Sequence, residues 1–117
     1  MDLLVIARGL PERRYDRALF LEQIVAGLPD APDFSLLGKA PEEFESHFPS
    51  LYLDLGLDGV LLFDRAGYTA AKLSRIREII QQAGLFRERD NGDMFWNWKN
   101  PPGPHWEVTW EGFRELA

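Results

Sequence analysis

The chain has 117 residues, 13 Lys and Arg against 19 Asp and Glu, and no cysteine. That length supports one core, and the missing cysteine excludes a disulfide frame, a thiolate metal site and a cysteine nucleophile. A formal charge of −6 argues against a surface built to coat nucleic acid, while 45% apolar and 27% charged residues argue for a folded globular chain rather than a disordered one.

The first feature along the chain is Leu3 to Ala7, a short continuous run rich in Leu, Val and Ile, which predicts a buried strand. No basic stretch precedes it as a secretion signal requires, and no stretch approaches the roughly 20 apolar residues of a membrane span. A cytoplasmic chain with no membrane partner is therefore expected. The run ends at Arg8-Gly9-Leu10-Pro11. A helix is predicted from about Glu12 to Gly27, its apolar face made by Tyr15, Ala18, Leu19, Leu21, Ile24, Val25 and Leu28. Arg13, Arg14 and Arg17 open this helix, either as a solvated face or facing a phosphate.

Phe34 to Leu37 is a second short strand. Pro41 opens the next helix, with Glu42 and Glu43 in its first turn, where acids meet the positive dipole end. Pro49 interrupts it, and a further helical stretch comes next, from Ser50 to about Leu57. Val60 to Phe63, between Gly59 and Asp64, reads as a third strand. The clearest helix runs from Tyr68 to Ala83, with Leu73, Ile76, Ile79, Ile80 and Ala83 as its buried stripe and Gly84 as its cap. Leu85 to Arg89 and Met94 to Trp98 flank Asp90-Asn91-Gly92-Asp93, a strong hairpin signal. After the stiff Pro101-Pro102-Gly103-Pro104 loop, His105 to Trp110 is a last strand. The order gives an α/β (α+β) domain over 1–117, a mixed sheet flanked by helices, with a Trp-rich β-hairpin extension over 85–110.

Two stretches carry a family resemblance. Asp2-Leu3-Leu4-Val5-Ile6 resembles the end of the motif of polymerase-β-type nucleotidyltransferases, in which a Gly-Ser turn and a helix precede a strand bearing Asp-x-Asp and then apolar residues. Pro41-Glu42-Glu43-Phe44-Glu45, Tyr52-Leu53-Asp54-Leu55, Asp58-Gly59 and Leu61-Leu62-Phe63-Asp64-Arg65 resemble, in that succession, the segment downstream of the catalytic half in small prokaryotic nucleotidyltransferase-domain proteins. The long helix and the Trp-rich hairpin are similar too, so the resemblance extends over nearly the whole chain.

The resemblance implies transfer of a nucleoside monophosphate from an NTP, ATP first among them, to an acceptor hydroxyl with Mg²⁺. Such transfer adds negative charge to an anionic phosphorus, and two Mg²⁺ ions held by carboxylates on neighbouring strands neutralise it. Asp2 matches the second acid of Asp-x-Asp and is the expected catalytic and metal-binding residue. The Gly-Ser motif and the first acid would lie upstream of Met1, so the chain is expected to be inactive or weak alone. Asp33 is the best local candidate for a third metal ligand, ahead of Asp64. The family pattern of apolar-acid-apolar instead falls on Ser35, between Phe34 and Leu36.

Other constellations are weaker. Asp54 and Asp58 share a helix face, as solvated acids commonly do. His47 and His105 lack ligand spacing, Asp90-Asn91-Gly92-Asp93 fails the calcium-loop pattern, and neither GxGxxG nor GxxxxGK[ST] occurs. Clustered spacing for a metal-dependent phosphodiesterase is also missing. Phe95, Trp96, Trp98, Trp106, Trp110 and Phe113 read as packing across a small sheet, with base stacking or a partner surface as the alternative. The competing class is a non-enzymatic interaction module, with a protein partner or a second copy of the chain pairing along the N-terminal strand.

Overall fold

The computed structural model describes residues 2–116. It is a mixed α and β structure of four helices and three separate two-stranded sheets. The chain divides into two compact units, Met1–Ser46 and His47–Ala117.

The first unit is a β-α-β element with a short helix after it. Strand β1 (Asp2–Ile6) and strand β2 (Ser35–Lys39) pair in parallel, and helix α1 (Arg14–Ala26) makes the crossover. Parallel neighbours require such a crossover, because a tight turn cannot reverse the chain twice. The register sets Asp2 beside Ser35, Leu3 beside Leu36, Leu4 beside Leu37 and Val5 beside Gly38. Gly38 faces α1 closely: a Cβ built there would lie 2.8 Å from Leu21 Cδ1 and 3.2 Å from Arg17 Cδ. The alternation of a strand then turns Leu3, Val5 and Leu36 toward α1, and Asp2, Leu4, Ser35 and Leu37 away from it.

The apolar face expected on α1 is only partly used. Leu21 is buried, but Tyr15 is 74% exposed, and Leu19, Ile24 and Leu28 are exposed as well. Two strands about 5 Å apart cover one strip of a helix, not its full apolar face. Arg17 lies on the covered strip and is buried with Leu21. The reading of Arg17 as part of a solvated or phosphate-facing surface is therefore corrected. Helix α2 (Pro41–Ser46) comes after β2 and buries Phe44.

The second unit is organised on helix α4 (Tyr68–Ala83). Leu73, Ile76, Ile79, Ile80 and Ala83 are all buried, which is the stripe expected from the sequence. Helix α3 (Ser50–Asp58) packs against it. Gly56 makes the close approach possible, since a Cβ there would come within 2.4 Å of Ile76 Cγ2. The far end of α4 closes at Gly84, whose φ of 68° is left-handed and whose N–H reaches the carbonyls of Gln81 and Ile80.

Strands β3 (Leu85–Asp90) and β4 (Asp93–Trp98) form the hairpin that Asn91-Gly92 predicts, antiparallel with Leu85 beside Trp98. Strand β5 (Trp106–Thr109) was expected; strand β6 (Gly112–Glu115), which pairs with it, was not. An isolated two-stranded hairpin is marginal in water. Here α4 packs on both β3 and β6, and aromatic rings join the hairpins. Trp98 meets Trp106 edge-on at 4.9 Å and Phe113 at 5.3 Å.

Two expectations of the sheet are corrected. The single mixed sheet is replaced by three separate pairs. Val60 to Phe63 is not a strand: it bends at Leu62, and Val60, Leu62 and Phe63 are 81%, 73% and 80% exposed. Its composition suits a strand, but strand propensity is realised only against a partner backbone, and this run has none.

Candidate functional site

Asp2 stands at the exposed start of β1, and its neighbour across the parallel register is Ser35, also exposed. Both lie on the face turned away from α1. Asp33 precedes β2 by two residues and falls outside the paired register. It lines an open depression of about 460 Å³ in the first unit, together with Glu22, Val25, Leu28, Asp30 and Phe34. Glu22 and Val25 belong to α1, and Leu36, which also lines the depression, faces that helix. Asp33 therefore borders this depression beside residues of α1, while the register sets Ser35, not Asp33, beside Asp2.

The chemistry of the donors can be compared with what Mg²⁺ asks for. Two ions in one site need charged oxygens from several residues on adjacent strands. At the register position beside Asp2 stands a neutral hydroxyl. Among the described residues, no group of three or more His, Cys, Asp or Glu is arranged to hold a metal. The residues present do not on their own fit a two-ion site. The depression offers no grip for a triphosphate either: its lining carries three carboxylates, Glu22, Asp30 and Asp33, and no Lys or Arg.

The buried positive charge of the first unit is committed elsewhere. Arg17 donates from Nε to the Pro11 carbonyl at 2.9 Å and from Nη1 to the Gly38 carbonyl at 3.0 Å. Nη1 also lies 2.9 Å from Glu43 Oε1. Glu43 in turn accepts the backbone N–H of Ala40 at 2.9 Å, the reach-back half of a capping box at the start of α2. That backbone N–H first, and Arg17 second, hold the Glu43 carboxyl below its usual range. Arg17 thus ties the β1–α1 connection, β2 and α2 together, and it is not available to a phosphate.

Asp64, the other candidate acid, caps α4. Its two carboxylate oxygens accept the backbone N–H groups of Thr69 at 2.8 Å and Ala70 at 3.0 Å. Those donors lower its pKa, as expected of a carboxylate at the positive end of a helix. Its role is local structure.

The Asp54 and Asp58 pair is not simply solvated. Arg87, on β3, donates to Asp58 at 2.7 and 2.9 Å and to Asp54 at 3.2 Å. Trp96 Nε1 donates to the same Asp54 oxygen at 3.0 Å. This clamp, which joins hairpin to helix, was missed from the sequence. The available signal was an Arg at the third position of a strand opposite two acids four residues apart. His47 uses its carbonyl to accept Trp110 Nε1 at 2.9 Å, and that of His105 accepts the Leu116 N–H at 2.8 Å. Trp110 packs edge-on against Phe48 at 4.9 Å, with Lys72 Nζ 4.8 Å from its ring. Of the aromatic cluster, Trp98, Trp106, Trp110 and Phe113 make ring contacts and Trp96 donates to Asp54, while Phe95 is exposed.

Neither a protein-family model, nor a curated protein, nor a solved structure matches the chain. Among the described residues, no helix is long and apolar enough to cross a membrane.

Proposed function

We propose that this chain is a nucleotidyltransferase-like protein that does not transfer a nucleotide by its own residues alone. One observation carries the reading: Asp2, the acid that the resemblance singles out, opens a parallel strand pair, and Ser35 stands beside it. The β-α-β element supports a nucleotidyltransferase-like fold for the first unit. A single carboxylate at the strand mouth supports the absence of transfer. In this reading Mg²⁺ and an NTP, ATP first, remain the cofactor and substrate of the parent chemistry. Asp2 would serve it only where further acids join it.

The test is NTP consumption with Mg²⁺ by the intact chain and by Asp2→Ala. Both are expected to run at the background rate. Robust Mg²⁺-dependent turnover that disappears in Asp2→Ala would overturn the proposal.

An interaction module is the second reading, and the exposure of Val60, Leu62 and Phe63 favours it. Contiguous exposed apolar side chains mark association surfaces more than they mark ordinary surface. Light scattering over a concentration series checks for self-association. A strict monomer would remove the case for a second copy.

A further inference from the structure

We infer that the strand mouth of the first unit does not hold a divalent cation in this chain, and that Ser35 is the residue that prevents it. The inference deepens the nucleotidyltransferase-like reading, because it places the loss at cation binding rather than at chemistry.

Hard divalent cations need several oxygen donors, and affinity rises with the number of charged ones. Adjacent strands lie about 4.8 Å apart, so donors on register partners that share a face are close enough to serve one ion. Asp2 and Ser35 are such partners, both exposed and both on the face turned from α1. Only Asp2 brings a charge. A serine hydroxyl is a neutral donor, and replacing the waters of Mg²⁺ with it gains little. The next residues on that face, Leu4 beside Leu37, supply no oxygen from their side chains. Asp33 precedes the paired register and lines the depression with Glu22 and Asp30. The nearest candidate acid is thus outside the paired register, and the position that faces Asp2 is neutral.

Restoring one carboxylate at that position should restore cation binding. Mn²⁺ is the probe, titrated into the full chain by calorimetry and monitored by its electron paramagnetic resonance signal. Wild type and Asp2→Ala should bind alike, each more weakly than about 1 mM. Ser35→Asp should bind Mn²⁺ at least about tenfold tighter, as the ligand charge count doubles. Asp2→Ala combined with Ser35→Asp should lose that gain. Because Ser35 is exposed, the substitution is expected to leave the fold intact, which circular dichroism checks. Ser35→Glu provides a second carboxylate variant should the first be misfolded.

Two results would overturn the inference. One is 1:1 Mn²⁺ binding by wild type, tighter than about 1 mM and lost in Asp2→Ala. The other is folded Ser35→Asp and Ser35→Glu chains that bind no better than wild type. Both are separate from the turnover assay: a chain that binds Mn²⁺ yet consumes no NTP sinks this inference and leaves the proposed function standing.

Discussion

Arg87 holds Asp58 with both arms of its guanidinium, Nη1 lying 2.7 Å from Oδ2 and Nη2 2.9 Å from Oδ1. The Arg87 side chain is only 14% exposed, so the pair is sheltered at one end and wet at the other. Planar, two-pronged contact is something lysine cannot reproduce. Arg87→Met should lower the melting temperature by several degrees, and Arg87→Lys should recover little of the loss. Equal melting temperatures for wild type and Arg87→Met would show that the clamp contributes nothing to folding.

The same clamp gives stability a pH dependence. Hydrogen bonding from Arg87 lowers the Asp58 pKa. Backbone N–H groups lower those of Asp64 and Glu43, with Arg17 adding to the latter. Each group binds its proton less readily folded than unfolded, so the unfolded chain takes up more protons as the solution is acidified. The contribution is fully present above the ordinary carboxylate range and is lost as pH falls below about 4. Urea midpoints measured from pH 7 downward should stay level to about pH 5 and then drop. In Asp58→Asn the drop should be shallower, from a lower plateau.

Gly56 reverses the usual effect of a glycine in a helix. At an exposed helical position Gly→Ala gains about 1 kcal/mol. At Gly56 the new Cβ would fall 2.4 Å from Ile76 Cγ2 and 3.1 Å from Ile76 Cβ, and Ile76 is fully buried. Gly56→Ala should therefore destabilise the fold, by about 1–3 kcal/mol for overpacking. Chemical denaturation measures this directly, and a stabilised variant would contradict the packing of α3 on α4.

Phe63 distinguishes a core strand from an exposed segment. A buried Phe exchanged for a small residue costs about 3–5 kcal/mol. Phe63 is 80% exposed, so Phe63→Ser should stay within about 0.5 kcal/mol of wild type. A loss of core size in the same denaturation experiment would restore the strand that the sequence suggests.

Legibility in the sequence depends on the range of the interactions involved. The stripe on α4, its Gly84 cap and the turn at Asn91-Gly92 depend on neighbours a few residues away, and they are visible as periodicity and as turn chemistry. The β1–α1–β2 order was legible for the same reason. Val60 to Phe63 failed because pairing is decided by a partner backbone, of which its own composition holds no record. Arg17 and Arg87 failed because charge suggests solvent until the distant carbonyls and carboxylates around them are known: Gly38 and Glu43 for one, Asp54 and Asp58 for the other. At the candidate site, Ser35 and Asp33 were both in view, but only the register shows which of them faces Asp2.

The setting of Val60 to Phe63 has a consequence for how this chain survives at high concentration. Gly59 to Phe63 is a five-residue run without a charge or a proline, the shortest length at which such windows favour association when chains meet unfolded or partly folded. Asp58 stands just before the window, and Asp64 and Arg65 stand directly after it. In a parallel, in-register stack each of these charges would sit about 4.8 Å above its own copy, where like charges repel. The bracket has the placement of gatekeeper charges, which oppose stacking of a segment whose apolar side chains stay on display in the folded protein.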